Sequence, residues 1–114
     1  MEKCINLFGI CPYVTAQKIF SGKWSILIIF YLSGGTLRFG ELQRKLPEIT
    51  QSTLTKQLRT LEVQGIIIRH IYPEVPPKVE YSLSDMGKEF IPVLSQFQVF
   101  GNKYLDFLKR QKSV

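Results

Sequence analysis

The sequence has few residues of the kinds that hold metals or build disulfide frameworks. Its 114 residues include two cysteines, Cys4 and Cys11, and one histidine, His70. These residues cannot complete the set of Cys and His ligands typical of structural zinc, and two cysteines are too few for a secreted disulfide scaffold. We therefore expect no metal and no cofactor. Whether Cys4 and Cys11 form a bridge depends on geometry that the sequence does not give.

Long hydrophobic segments are also missing. The longest apolar run, Ile26–Leu32, is far shorter than the roughly 20 residues that a membrane-spanning helix needs. The N-terminus does not resemble a signal peptide, because Glu2 and Lys3 precede only a brief apolar patch and no cleavage pattern follows. These features predict a soluble, cytoplasmic protein with no membrane partner.

Patterns typical of enzymes are absent as well. The nine acidic residues show no paired arrangement suited to acid–base catalysis, and the sequence has neither a glycine-rich phosphate loop nor a nucleophile motif. His70 lies in a predicted strand, where we expect a surface residue rather than a catalyst. The sequence therefore predicts no catalytic residue and no enzymatic activity.

The composition itself is that of a single globular domain with excess positive charge. Hydrophobic residues make up 45% and charged residues 21% of the chain, and the formal net charge is +6. This charge favours a polyanionic partner, but it is spread along the chain, and the basic residues near the C-terminus are also typical of a solvated chain end. The charge supports nucleic-acid binding without establishing it.

Residues 38–83 organise the rest of the chain. A helix is predicted from Thr50, its N-cap, to about Gln64, and Leu54, Leu58 and Leu61 fall on one buried face of it. A strand, a proline-rich loop and a return strand follow directly. A hairpin of two strands is not stable alone, so it must pack on the helices.

The complete order of elements predicts a mainly α fold with a small β-hairpin, a winged helix-turn-helix with additional N- and C-terminal helices for dimerisation. The predicted segments of this single domain, residues 1–114, are an N-terminal arm (1–11), two helices (12–34), the helix-turn-helix (38–64), the wing hairpin (66–83) and a C-terminal helix (84–111). Within the last helix, Pro92 should introduce a kink or a division.

The C-terminal helix has two adjacent apolar stripes, more than one small domain needs for its own core. The simplest explanation is that one stripe faces a second subunit, and the alternative is that both fold back onto the same chain. The predicted homodimer contacts are Val93, Phe97, Phe100, Tyr104 and Phe107.

A winged helix-turn-helix suggests double-stranded DNA as the partner. The predicted contacts with bases or phosphates are Arg38, Gln51, Ser52, Thr55, Lys56, Arg59 and Lys78, with Lys78 placed at the tip of the wing. Gln51 can pair with adenine, whereas Lys56 and Arg59 can reach guanine edges or phosphates. Two alternatives remain open: that these are ordinary solvated residues, or that the winged helix binds another protein and no DNA.

Three segments of the chain resemble the HxlR-type bacterial transcriptional regulators. These segments are CPYVTAQKIFSGKW, RFGELQRKLPEITQSTLTKQLRTLEVQGII and YPEVPPKVEYSLSDMGKEFIPVL, and together the resemblance covers roughly residues 11–100. The resemblance implies a homodimeric, sequence-specific DNA-binding protein whose first and last helices build the dimer interface, and which represses or activates transcription.

The resemblance also draws attention to Cys11. Some HxlR-type proteins sense oxidants or electrophiles through a cysteine directly before the proline that starts the first helix, and Cys11-Pro12 matches that position. The physical basis would be a thiolate stabilised at a helix N-terminus. The alternative is a buried thiol with no redox role. A small-molecule or oxidant effector is left unidentified by the sequence.

Overall fold

Helices surround a small sheet in the computed structural model, which describes residues 7–112. The helices are α1 (Pro12–Ile19), α2 (Ser25–Leu32), α3 (Phe39–Lys45), α4 (Gln51–Val63), α5 (Asp85–Lys88) and α6 (Ile91–Lys112). The strands are β1 (Leu37–Arg38), β2 (Ile67–Tyr72) and β3 (Lys78–Leu83). Cys4, and with it the question of a bridge to Cys11, lies outside the described residues.

Helices α2 and α4 supply the centre of the core. Ile28 and Ile29 of α2 are fully buried, and they belong to the same cluster as Leu54, Leu58 and Leu61 of α4. Each of these side chains stabilises the fold by roughly 1.5–3 kcal/mol when it is removed from water. The leucine face predicted for α4 is therefore its buried face, and the opposite face of this helix is turned outward.

Local side-chain chemistry sets the limits of α4. The hydroxyl of Thr50 accepts the backbone N–H of Thr53 at 3.2 Å, which confirms Thr50 as the predicted N-cap. After Val63 the chain leaves the helix through Gly65, whose φ of +79° lies in the left-handed region that favours glycine. The start and the end of α4 are thus both encoded within a few residues.

The sheet has three antiparallel strands in the order β1-β3-β2. The hairpin of β2 and β3 was predicted, whereas β1 was not. Arg38, Glu80 and His70 are aligned across the three strands. Side chains alternate along a strand, so this row lies on one face while Tyr81 and Leu83 are buried on the other. We call the first face, with Arg38, His70, Tyr72, Lys78 and Glu80, the outer face of the sheet.

The C-terminal segment forms two helices rather than one continuous helix. Ser84 caps the short α5, because its Oγ accepts the N–H of Gly87 at 3.0 Å. Helix α6 begins at Ile91, so Pro92 lies in its first turn, where a missing N–H costs no hydrogen bond. Of the two outcomes predicted for Pro92, the chain adopts the division. None of the residues that the structure describes in α6 is buried.

The N-terminal helices contact both the centre and the end of the chain. The ring of Phe20, which follows α1, stacks on Phe90 just before α6, with 4.1 Å between the ring centres. Trp24 packs against the core, and the ammonium of Lys23 lies 5.1 Å from the centre of its ring. The turn between α1 and α2 is therefore held on one side by the start of the C-terminal helix.

Candidate nucleic-acid interface

The turn between α3 and α4 is held by a side chain that we did not predict to be important. The Nε2 of Gln43 donates to the carbonyl oxygen of Ile49 at 2.6 Å and lies 3.4 Å from that of Leu46. Both bonds satisfy carbonyls of the turn that leads into Thr50. A signal for this role exists in the sequence, since Gln43 occupies the same helical face as the apolar residues Phe39 and Leu46.

The outward face of α4 brings the predicted reading residues together. Gln51, Ser52, Lys56 and Arg59 are exposed and Thr55 is half-buried. The hydroxyl of Thr55 donates to the carbonyl of Gln51 at 2.9 Å, which leaves its methyl group and remaining oxygen lone pair for outside contacts. These residues form a surface with hydrogen-bonding groups near the helix N-terminus and positive charge further along it.

The two cations of this surface are not neutralised by nearby carboxylates. Within residues 7–112, the ion pairs are Arg69 with Glu62 and Lys78 with Glu80. Neither Lys56 nor Arg59 takes part in them, so neither side chain is held in an ion pair with a described residue. This is the arrangement expected of groups that contact phosphates or guanine edges.

Arg38 and Lys78 lie on the outer face of the sheet and not with the α4 residues. Arg38 is the N-cap of α3, and its backbone N–H donates to the Glu41 carboxylate at 2.8 Å. The placement of Lys78 at the wing tip was wrong: Lys78 is the first residue of β3, paired with Tyr72, and the loop is residues 73–77. Lys78 therefore belongs to the return strand and not to the proline-rich loop.

A hydrogen-bonded carboxylate stands between these two cations. The Tyr72 hydroxyl donates to Glu80 Oε1 at 2.9 Å, and Lys78 Nζ lies 3.6 Å from Glu80 Oε2. The hydrogen bond from Tyr72 holds the pKa of the Glu80 carboxyl below its ordinary value. The same bond raises the pKa of the Tyr72 hydroxyl, because losing its proton beside an ionised carboxylate is unfavourable.

The turn between α1 and α2 lies against the side of α4. Ser25, which is buried, donates its hydroxyl hydrogen to Gln57 Oε1 at 3.2 Å. A Cβ added to Gly22 would lie 2.2 Å from the same oxygen, so the two segments are in close contact. The exposed Lys23 belongs to this turn, with its ammonium over the Trp24 ring, and our prediction of the DNA-contacting residues did not include it.

The predicted dimer residues form one exposed stripe along α6. Val93, Phe97, Phe100, Tyr104 and Phe107 are between 41% and 68% exposed. Their spacing alternates between four and three residues, which keeps them on one side of a helix. Phe30 and Phe97 border a groove of about 470 Å³ between α2 and α6.

Cys11 lies where the sequence predicted, at the start of α1. It is the N-cap residue of this helix, and its side chain makes no capping hydrogen bond. It is also only 6% exposed, so a reagent reaches the sulfur only after neighbouring residues move.

The residues described here contain no group of three or more His, Cys, Asp or Glu able to hold a metal ion. Among residues 7–112, no helix has the length and hydropathy needed to cross a bilayer.

The helix-turn-helix of α3 and α4, followed by a two-stranded wing, defines a winged helix protein. The chain belongs to the HxlR-like helix-turn-helix family, whose model matches residues 19–109. This family consists of transcriptional regulators and not enzymes.

Two relatives and one solved structure illustrate the similarity. The uncharacterized HTH-type transcriptional regulator YdeP of Bacillus subtilis (strain 168) is 45% identical over 96 residues, 84% of this chain and 75% of YdeP. An uncharacterized HTH-type transcriptional regulator of Methanothermobacter thermautotrophicus is 45% identical over 95 residues, 83% of this chain and 72% of the relative. The redox regulator HypR in its reduced form is 39% identical, with a TM-score of 0.83 and coverage of 88% of this chain and 99% of HypR.

Proposed function

We propose that this chain is a sequence-specific DNA-binding regulator that acts as a homodimer on a palindromic operator. The observation that carries the proposal is the outward face of α4, where hydrogen-bonding groups and unneutralised cations stand opposite three buried leucines. Such a helix can enter the major groove while its leucine face stays in the core. A module that binds only proteins is expected to present an acidic or apolar face at this position instead.

The residues of this face have different roles in the proposal. Gln51, in the first turn of α4, offers a donor and an acceptor that match the major-groove edge of adenine. Ser52 and Thr55 are small enough for the helix to approach the bases closely. Lys56 and Arg59 contact guanine edges or phosphates, and Arg38 and Lys78 supply outlying phosphate contacts.

The homodimer is supported by the exposed stripe on α6. A row of large apolar side chains spaced four and three residues apart is the pattern by which two helices pack along their length. Phe100, with 68% of its surface exposed, would be the most costly of these residues to leave in water. Pairing two copies through this stripe would present two α4 helices to half-sites about one helical turn of DNA apart.

DNA binding is tested by fluorescence anisotropy of the purified protein with duplexes from its own upstream region and with random duplexes of equal length. We expect a preference for one palindromic segment and an affinity that falls steeply with salt. Lys56→Ala should weaken binding to all duplexes and reduce the salt slope by about one. The control Lys103→Ala removes the same charge from α6 and should change little. Equal affinity for all duplexes would contradict sequence-specific binding, and the absence of binding to any duplex would favour the protein-binding alternative.

Response to oxidants through Cys11 is a second hypothesis, favoured by the position of this cysteine at the N-cap of α1. The structural similarity to a redox regulator supports it, and the burial of the sulfur supports the alternative of a thiol without a redox role. Operator affinity is measured before and after treatment with peroxide. A change that is lost in Cys11→Ser but kept in Cys4→Ser would support sensing, and an unchanged affinity would exclude it.

A further inference from the structure

We infer that Glu80 limits the attraction of the wing for DNA by pairing with Lys78 and by placing a negative charge near Arg38. The wing here means β2, β3 and the loop at residues 73–77. The inference rests on the proposed DNA binding. It assigns Glu80 a role in specificity, because it lowers the affinity for DNA of any sequence while leaving the reading face of α4 unchanged.

The contacts around Glu80 form a closed arrangement of three side chains. Lys78 Nζ lies 3.6 Å from one carboxylate oxygen of Glu80, and the Tyr72 hydroxyl donates to the other at 2.9 Å. The Lys78 ammonium also lies 4.8 Å from the centre of the Tyr72 ring. Each of the three side chains therefore contacts the other two, and Lys78 is directed along the sheet instead of extending from it.

Arg38 adds a second cation near the same carboxylate. It is paired with Glu80 in the register of β1 and β3, so both side chains leave the same face of the sheet. Tyr72 lowers the pKa of Glu80 most strongly, partial burial opposes this effect, and the charges of Lys78 and Arg38 lower the pKa further. Glu80 is thus ionised at neutral pH and offsets positive charge at the wing.

This offset has a direct consequence for DNA binding. Affinity for DNA of any sequence depends on how many phosphates the protein neutralises, because each contact releases condensed counterions. A lysine already paired with a carboxylate adds little to this count, and the carboxylate itself repels phosphates. Lys56 and Arg59 have no such pairing, so the affinity for DNA depends mainly on α4, the helix that contacts the DNA bases in the proposed function.

The test compares two substitutions that remove the same charge from the wing. Glu80→Gln keeps an oxygen that can accept the Tyr72 hydroxyl but no longer pairs with Lys78. Glu74→Gln removes an exposed carboxylate of the loop that has no ion pair with a described residue. Binding to a random 30-base-pair duplex is measured over a range of salt concentrations. We expect Glu80→Gln to tighten binding about two- to fivefold more than Glu74→Gln, with a salt slope steeper by about one.

A second pair of substitutions separates charge release from an effect on the fold. Adding Lys78→Ala to Glu80→Gln should remove most of the gain. Lys78→Ala in the wild-type background should cost clearly less affinity than Lys56→Ala, a comparison that holds even if Glu80→Gln proves unstable. Equal costs, or equal binding by the Glu80 and Glu74 variants, would overturn the inference alone. Wild-type protein that binds no duplex at all would overturn the proposed function as well.

Discussion

Gly87 provides a sharp test of how α5 is joined to the sheet. A Cβ at this position would lie 2.1 Å from the carbonyl oxygen of Ile66, which is backbone and cannot rotate away. That oxygen also accepts the N–H of Ser84 at 2.9 Å and its hydroxyl at 3.0 Å. Gly87→Ala should therefore push α5 away from β2 and weaken both bonds.

The size of the effect follows from these contacts. Overpacking a tight contact costs about 1–3 kcal/mol, and each weakened hydrogen bond adds about 0.5–1.5 kcal/mol. The expected loss is about 2–6 kcal/mol, a large part of the roughly 5–15 kcal/mol by which domains of this kind are stable. For a domain of this size, such a loss lowers the melting temperature by roughly 8–25 °C.

The assay is thermal unfolding followed by circular dichroism, at one protein concentration for all variants because the stability of the proposed dimer would depend on concentration. Gly40→Ala is the matched control. A Cβ added to Gly40 in α3 would meet nothing closer than an Arg44 guanidinium nitrogen at 3.9 Å, and alanine is the better helix former. The control should melt at or slightly above the wild-type temperature. If the two variants melt within about 2 °C of each other, the argument for a tight contact at Gly87 is refuted.

Three further predictions concern helix α4, the wing and the exposed stripe on α6. Thr50→Ala should cost about 1 kcal/mol in urea unfolding because α4 loses its cap, whereas Thr50→Ser should retain most of the stability. Tyr72→Phe should raise the pKa of Glu80 towards its ordinary value, as followed by NMR of the carboxyl carbon. Because the pKa of Glu80 is lower in the folded than in the unfolded state, the ionised carboxylate stabilises the fold at pH values above the unfolded-state pKa. This contribution is lost as the pH falls through the folded-state pKa. The stability of the Tyr72→Phe variant should therefore depend less on pH in the acid range. Phe100→Asp should shift the protein to monomers in analytical ultracentrifugation, and an unchanged mass would contradict the role proposed for α6.

The elements that could be predicted from sequence are those with a strong local pattern. Three leucines at helical spacing and a threonine cap located α4, and the alternation of Val79, Tyr81 and Leu83 located β3. Strand β1 was missed because two residues carry no periodicity, and its formation depends on pairing with β3 far along the chain. Such pairing is decided by tertiary contacts and not by local preference.

The residues of the candidate interface also differ in how well they could be predicted from the sequence. The outward residues of α4 followed directly from the position of its leucines. The contacts of Lys78 could not be predicted, because they depend on which residues of β2 and β3 pair across a loop with several prolines. The contact of the turn that carries Lys23 was missed for a related reason: this turn lies against α4 because Gly22 and Ser25 contact Gln57, which is distant in sequence.

The turn between α1 and α2 contacts two parts of the molecule with different proposed tasks. Phe20 stacks on Phe90 before α6, and Ser25 bonds to Gln57 on α4. A shift of this turn would disturb both contacts together. Thermodynamic linkage makes such a coupling reciprocal. If pairing of the subunits raises the affinity for the operator by some factor, binding of the operator raises the affinity of the subunits for each other by the same factor. The proposed dimer should therefore stay intact at lower protein concentrations when its operator is present. Its dissociation constant should fall by the same factor that subunit pairing adds to operator affinity in DNA titrations.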